Sequence, residues 1–316
     1  MMKTSRRHRI MRRILFTFMG VVLLGFLAIF VLIRVTFSTE EDAMGAIQKT
    51  VTSKDGTAIA YEQSGGGPVV ILVSAALTDR SGNRRLAREL SRSFTVINYD
   101  RRGRGKSGDQ QPYSTDREVE DISALIDACG GSAYLFGSSS GSVLALDAAS
   151  RLSSKVKKLY MYEPPFIVDS SRPPMPVALS SDINRQVASG SRSDAVRMFF
   201  NKGMGIPSAA VTLMRFLMPG WSKMCGMAHT IAYDLAILDD TQSGQPLPQE
   251  RWRGVANPVR VAVGGRSETF FHNGAKALAQ LLPSANYQSL AGLNHGALLL
   301  SAASLAKDVR DFFLQI

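Results

Sequence analysis

Residues 133–149 read AYLFGSSSGSVLALDAA, and this stretch decides the fold. The apolar run at its start is typical of a buried strand, and the Ala- and Leu-rich run at its end is typical of a helix. Between the two runs, Gly137 and Gly141 flank Ser139 at the positions where a sharp strand-to-helix turn leaves room only for glycine. The stretch predicts a nucleophilic Ser139 at the carboxyl edge of a sheet, although a Gly/Ser-rich turn with helix-capping serines would read the same.

Strands and helices alternate along the rest of the chain. The predicted strands are residues 49–52, 58–61 (a hairpin with the first), 69–73, 94–99, 133–136, 157–162, 259–263 and 287–290. The predicted helices are residues 83–90, a helix opened by a capping box at Thr115 and Glu118, and residues 143–152, 275–282 and 298–314. This alternation predicts an α/β fold with a doubly wound, mostly parallel sheet. Residues 165–257 interrupt it with a Met-rich, helical insertion that we expect to cover one end of the sheet.

A serine hydroxyl is hardly ionised at neutral pH, so Ser139 needs a general base. The sequence holds four histidines. His8 lies in a basic N-terminal arm, His229 in the insertion and His272 just after a predicted strand. His295 stands in a loop between the last strand and the last helix, which should return to the same sheet edge as Ser139. We therefore predict that His295 is the base.

Two glutamates could orient His295. Glu268 lies three residues beyond a glycine at the end of the predicted strand 259–263, and Glu163 follows the preceding strand of the sheet. Both satisfy the order serine, acid, histidine that this strand-turn-helix motif carries. We favour Glu268 and keep Glu163 as the alternative, since either could instead be a solvated loop carboxylate.

The chain resembles the α/β-hydrolase superfamily over residues 49–316. The resemblance rests on residues 69–76, 99–108 (YDRRGRGKSG), 137–141, 264–268 and 294–296. It implies that Ser139 is the nucleophile, that His295 is the base and that Glu268 is the usual acid. Some members draw the acid from the strand before the cap, where Glu163 lies. The resemblance also identifies the insertion as a helical cap over the active site, and the serine argues against the haloalkane dehalogenase and epoxide hydrolase branches.

Two backbone amides are expected to stabilise the oxyanion that forms during acyl transfer. One is the N–H of Ser140, at the start of the helix. The other follows the strand 69–73, where family members usually carry His-Gly before the donor. This chain reads SAAL at residues 74–77, so Ala76 is the predicted second donor. Losing one donor costs roughly 10²–10³ in rate, so this departure could separate a good enzyme from a poor one.

Leu77, His229 and Tyr233 are predicted to line the substrate pocket. The last two belong to a stretch with apolar residues at helical spacing, which a cap helix packed on the core would also show. Gly105-Lys106-Ser107 resembles a phosphate-binding loop, but Asp100 stands where that motif requires glycine. We interpret the basic run at residues 101–106 as a surface turn that stabilises the sheet edge, and attraction of an acidic substrate group is the alternative.

The N-terminus combines a basic arm, residues 1–13, with an uncharged segment. Residues 14–33 read ILFTFMGVVLLGFLAIFVLI, and as a helix they would span the roughly 30 Å hydrocarbon core of a bilayer. Six Lys/Arg residues precede the segment and an acidic run, residues 40–42, follows it, so the positive-inside bias puts the N-terminus in the cytoplasm and the body outside. We predict a single-pass transmembrane helix, residues 14–34, and a linker, residues 35–46. Cleavage of a signal peptide and secretion are the alternative.

Composition narrows the class of protein. The chain has 316 residues and a net charge of +11, but seven of its 37 basic residues precede the first acidic one, which leaves 30 basic against 26 acidic residues in the remainder. The excess of positive charge therefore lies mostly near the N-terminus, which favours a lipid surface over nucleic acid as partner. Two cysteines exclude a disulfide-knitted scaffold, and no Cys/His cluster has the spacing of a zinc site.

Together these patterns predict a membrane-anchored, carboxylesterase-like serine hydrolase. Its α/β-hydrolase domain, residues 47–316, would act on a small-molecule ester without a metal or an organic cofactor. The alternative is a catalytically silent protein of the same fold that binds a small apolar ligand under the cap, and the unusual residues 74–77 motivate it. A membrane-surface scaffold that works through the basic arm is a further alternative.

Overall fold

The structure, a computed structural model, describes residues 46–315. The predicted arm and transmembrane helix, residues 1–34, lie outside the described residues, as does all but the last residue of the predicted linker. Within residues 46–315, no helix combines the length and the apolar character needed to cross a bilayer.

The described residues form one eight-stranded sheet. Its strands are β1 (Ile47–Thr52), β2 (Ala58–Ser64), β3 (Val69–Val73), β4 (Thr95–Tyr99), β5 (Ala133–Ser138), β6 (Val156–Tyr162), β7 (Val259–Gly264) and β8 (Ala285–Leu290). They lie in the order β1-β2-β4-β3-β5-β6-β7-β8. The pairs β1–β2 and β2–β4 are antiparallel, and the remaining neighbours pair in parallel. The predicted mostly parallel sheet and its leading hairpin are confirmed.

Helices cover both faces of this sheet. The α-helices are α1 (Arg84–Leu90), α2 (Thr115–Ala128), α3 (Ser140–Arg151), α4 (Leu179–Ala188), α5 (Arg192–Met198), α6 (Ser208–Leu217), α7 (Trp221–Gly226), α8 (Ile231–Ile237), α9 (Thr269–Leu281), α10 (Ala297–Leu300) and α11 (Ala302–Leu314). One core contains Ile122 of α2 and Leu278 of α9, and the other contains Leu86 of α1 and Val309 of α11. Successive residues of β3 face these two cores in turn, which is why its sequence is apolar throughout.

Between β6 and β7 the chain forms a helical insertion, α4 to α8. A π-helical turn (Phe199–Gly203) and a 3₁₀ turn (Ala228–Thr230) join its helices. The insertion has an apolar cluster of its own, to which the body of the protein contributes Leu77. Because Leu77 follows the carboxyl end of β3, the insertion lies over the carboxyl edge of the sheet. We call the insertion the cap.

Two helix boundaries near the C-terminus differ from the sequence predictions. Helix α9 begins at Thr269, six residues before the predicted start, and the predicted last helix is divided at Ser301 into α10 and α11. Gly274 directly precedes the predicted start, and glycine within a helical pattern lowers the helix propensity. In the structure a Cβ on Gly274 would lie 2.7 Å from Cβ of Phe166, so the glycine lets the helix pack closely instead of ending it.

Candidate active site

Ser139 occupies a strained turn between β5 and α3. Its φ is +51° and its ψ is −128°, a conformation that residues other than glycine rarely adopt. A Cβ on Gly137 would lie 2.5 Å from the carbonyl oxygen of Gly141, and a Cβ on Gly141 would lie 2.4 Å from that of Ser74. Steric contact therefore requires both glycines, for the reason that the sequence motif indicated.

His295 contacts a buried carboxylate. Its Nδ1 lies 2.6 Å from Oε2 of Glu163, a residue with no solvent exposure that directly follows β6. The other carboxylate oxygen of Glu163 accepts hydrogen bonds from the Gly264 N–H, at 2.7 Å, and from the Ser267 hydroxyl. A carboxylate only accepts, so the Nδ1 proton points at Glu163 and Nε2 keeps the lone pair that a base needs.

Glu268, our first choice for the acid, is not the carboxylate that the structure brings to His295. Its side chain is 71% exposed and lies 3.5 Å from Arg172. The reason is local: the Ser267 hydroxyl turns inward to Glu163, and Glu268 occupies the N-cap position of α9 without a side-chain cap hydrogen bond and points to solvent. The carboxylate that contacts His295 is Glu163, the alternative, at 2.6 Å.

Ser139 and His295 lie at the same edge of the sheet and share Tyr162 as a neighbour. The Ser139 N–H donates to the carbonyl of Tyr162 at 2.9 Å, and the Tyr162 hydroxyl donates to the carbonyl of Asn294 at 2.7 Å. The His295 ring stacks on Phe271, with ring centroids 4.9 Å apart. The structure records no direct hydrogen bond between Ser139 Oγ and His295 within the described residues, and such contacts often tighten only when substrate binds.

The segment that replaces the usual His-Gly lies beside the first turn of α3. Gly141 packs directly on the Ser74 carbonyl, so residues 74–77 run past the start of the helix. Leu77, the last of them, has a φ of +55°. The Thr78 hydroxyl donates to the Ala75 carbonyl at 2.8 Å and closes the turn. In the described chain, neither the Ser140 amide nor the Ala76 amide is recorded as donating a hydrogen bond.

The three predicted pocket residues are placed at contacts between the cap and the body. Leu77 is 3% exposed and packs into the apolar cluster of the cap. The Tyr233 hydroxyl donates to Asp109 at 2.9 Å, and its ring stacks on Tyr113 at a centroid distance of 3.8 Å. Nε2 of His229 lies 3.5 Å from the same aspartate. Burial and then Asp109 raise the pKa of Tyr233 to about 12, so it remains a neutral hydrogen-bond donor at physiological pH.

The three arginines of the basic run after β4 are buried, so its interpretation as a surface turn is wrong for these residues, although Lys106 is exposed. Arg101, Arg102 and Arg104 have side chains with no solvent exposure. Burial is possible because each guanidinium finds a carboxylate, and Arg101 pairs with Glu118 through two hydrogen bonds of 2.7 Å. Glu118 therefore does not form the predicted capping box, and α2 follows Ser114 without a side-chain cap.

The buried arginines also reach the proposed site, which the sequence analysis missed. Arg101 and Arg104 share Asp234, a fully buried residue of α8 in the cap. A signal existed in the clustered arginines of residues 101–104, but their partner lies 130 residues or more further along the chain.

Within residues 46–315, no group of three or more His, Cys, Asp or Glu side chains could hold a metal ion.

Most of the chain is similar to proteins of known sequence or structure. A family model described as alpha/beta hydrolase fold matches residues 68–302. The solved structure of an alpha/beta hydrolase from Sphaerobacter thermophilus is 42% identical, has a TM-score of 0.77 and covers 84% of this chain and 100% of its own. A non-heme chloroperoxidase of Streptomyces lividans is 27% identical over 83% of this chain and 98% of its own length. An uncharacterized hydrolase of Bacillus subtilis is 33% identical over 34% of this chain and 42% of its own length.

Proposed function

Because this chain belongs to the alpha/beta hydrolase fold family, we propose that it is a serine hydrolase that cleaves a carboxylic ester of a small molecule. The observation that carries the proposal is the 2.6 Å contact between His295 Nδ1 and the buried Glu163, at the sheet edge where Ser139 occupies its strained turn. An oriented imidazole at the sheet edge that carries a serine on such a turn supports activation of the hydroxyl as a nucleophile.

The proposed reaction has two acyl-transfer steps. In the first, Ser139 Oγ attacks the acyl carbon while His295 Nε2 takes its proton, and the imidazolium then protonates the departing alcohol. In the second, His295 removes a proton from water, which attacks the acyl-enzyme. The imidazolium then returns this proton to Ser139 Oγ as the acid leaves, which restores the free serine and the neutral histidine. Glu163 holds the ring in the tautomer that both steps need and stabilises the imidazolium.

The amides of Ser140 and Ala76 are the proposed donors to the oxyanion in both steps. The Ser140 amide belongs to the first residue of α3, where N–H groups have no partner within the helix. The Ala76 amide belongs to a turn held against that helix start. Main-chain donors do not depend on side-chain identity, so the SAAL sequence is compatible with a working oxyanion hole.

A fluorophosphonate probe tests the proposal directly. We expect the wild-type protein to gain one phosphonyl group, and peptide mass spectrometry to find it on Ser139. We also expect hydrolysis of p-nitrophenyl esters, with acyl chains from two to twelve carbons used to define the preferred length. Absence of both labelling and hydrolysis would favour the silent ligand-binding alternative.

We also propose that residues 14–34 anchor the protein in a membrane, with the N-terminus in the cytoplasm. The uncharged stretch and the basic residues before it support this arrangement. After cell fractionation, the full chain should stay in the membrane pellet through a carbonate wash, and a chain that starts at Ala46 should be recovered in the supernatant. Release of the full chain by carbonate, or a mature N-terminus beyond residue 34, would contradict the anchor.

A further inference from the structure

A single carboxylate of the cap contacts side chains that hold both proposed oxyanion donors in place. Asp234, on α8, is fully buried. Its Oδ1 accepts a hydrogen bond of 2.8 Å from the Ser140 hydroxyl, so it contacts the residue that carries the first amide donor. The same oxygen accepts from Nη1 of Arg101 at 2.7 Å, and Oδ2 accepts from Nη2 of Arg104.

The two arginines extend this contact to the second donor. Nη1 of Arg104 donates to the Ala75 carbonyl at 2.7 Å and to the Thr78 carbonyl at 3.2 Å. Nη1 of Arg101 donates to the Ser74 carbonyl at 3.2 Å. The segment of residues 74–78 is thus held in place by hydrogen bonds that the two buried arginines donate to its carbonyl groups.

Because the peptide unit is planar, a hydrogen bond that fixes the Ala75 carbonyl also fixes the direction of the Ala76 N–H. The Ala75 C=O and the Ala76 N–H belong to one planar trans peptide unit and point in opposite directions. Fixing the carbonyl on Arg104 therefore fixes the Ala76 N–H on the opposite side, away from the guanidinium. Arg104 is itself fixed by Asp234, so the cap carboxylate acts on Ala76 through one side chain.

The charges of this cluster balance only when Asp234 is present. Arg101 and Arg104 face two carboxylates, Glu118 and Asp234, and all four side chains are at most 1% exposed. Burial alone would raise the pKa of the Asp234 carboxyl, but the guanidinium groups of Arg104 and Arg101 and its hydrogen bonds hold that pKa below its usual value. Asp234 is therefore charged at neutral pH, and its removal would leave a guanidinium without a counterion.

We propose that Asp234 is a positioning residue through which the seated cap sets both oxyanion donors, Ser140 directly and Ala76 through Arg104. The inference rests on the proposed hydrolase function and extends it, because it makes acylation depend on a residue that does not contact the reacting atoms. It differs from a purely structural ion cluster in what it predicts, which is a loss confined to the chemical step.

The test compares Asp234→Asn with a matched substitution, Asp147→Asn. Asp147 is also a buried carboxylate, 3% exposed, and accepts from Arg251 at 2.8 Å and from the Trp252 indole at 2.8 Å. It lies on α3 as Ser140 does, but its partners lie outside the proposed site. Both variants should lose thermal stability, which differential scanning fluorimetry measures, and kinetics are then compared below both unfolding temperatures.

We expect Asp234→Asn to lower the rate of phosphonylation by the probe, and kcat for a p-nitrophenyl ester, by about 10- to 100-fold, since one displaced oxyanion donor costs up to roughly 10²–10³. KM should stay within about 3-fold of the wild-type value, because the displaced amides act on the transition state. Asp147→Asn should keep both rates within about 3-fold. Equal rates for the two variants would overturn the proposal.

Ser140→Ala decides the question if Asp234→Asn does not fold. It removes the hydroxyl that contacts Asp234 but keeps the Ser140 backbone amide and both arginine pairs. We expect a smaller loss of kcat, about 3- to 10-fold, with KM unchanged. An unchanged kcat would overturn the proposal that Asp234 positions the Ser140 amide. Failure of the proposed function gives a different result, since the wild-type protein itself would then be neither labelled nor active.

Discussion

Ser139→Ala is expected to lower ester hydrolysis by about 10⁴- to 10⁶-fold and to abolish labelling by a fluorophosphonate. Alanine removes the only atom of this side chain that can form an ester with the acyl group, and water must then attack the substrate without a covalent intermediate. Residual activity would come from binding and from the oxyanion donors alone. The fold should survive, because alanine keeps the Cβ that the turn already accommodates.

Ser138→Ala is the matched control for this experiment. Ser138 is the neighbouring serine, is 4% exposed and lies at the end of β5. Its substitution removes a hydroxyl of the same size from the same turn, and we expect activity within about 3-fold of wild type. Steady-state hydrolysis of p-nitrophenyl esters and gel fluorescence of the labelled protein provide the two readouts. Full activity in Ser139→Ala would show that the serine is only part of a Gly/Ser-rich turn.

Local steric constraints explain why the sequence alone predicted the turn at Ser139. The requirement for Gly137 and Gly141 arises from contacts within a few residues and with the adjoining strand, and it leaves a recognisable spacing. The strands were equally readable, because burial on both faces makes β3 apolar throughout. Structural features that depend on residues close in the chain, or on burial alone, are those that a sequence pattern can predict.

The position of the acid depended on a detail that no pattern contained. Glu163 and Glu268 both follow a strand and both precede His295. The structure distinguishes them through the early start of α9, which turns Ser267 inward and leaves the next side chain in solvent. A shift of one residue in the helix start would change which of these side chains faces inward, and helix boundaries are the least certain part of a sequence prediction.

The buried arginines were misread for a different reason. A run of charges is normally solvated, and only a set of counterions at the right places permits burial. Asp234 supplies one of them from the cap, far along the chain from Arg101 and Arg104. Long-range pairing of this kind leaves no spacing in the sequence.

Glu163→Gln is expected to lower kcat/KM by about 10³- to 10⁴-fold, although glutamine has the same size and shape as glutamate. Both donors at Oε1 of Glu163, the Gly264 N–H and the Ser267 hydroxyl, require an acceptor there. The amide oxygen of glutamine would therefore take the Oε1 position and present its NH₂ group to His295 Nδ1. An NH₂ group only donates, so the imidazole would have to carry its proton on Nε2, the atom that must accept the serine proton.

Glu268→Gln is the control that separates the two candidate acids. Its carboxylate is 71% exposed, so the same change of charge and shape there should leave kcat/KM within about 3-fold of wild type. Circular dichroism and thermal unfolding establish that both variants are folded, and p-nitrophenyl ester hydrolysis gives the rates. The opposite ranking, with Glu268→Gln inactive and Glu163→Gln active, would mean that the chain rearranges after β7 when substrate binds. The two substitutions are chemically identical, so once both variants are shown to be folded, a loss of rate confined to Glu163→Gln assigns the imidazole contact to Glu163.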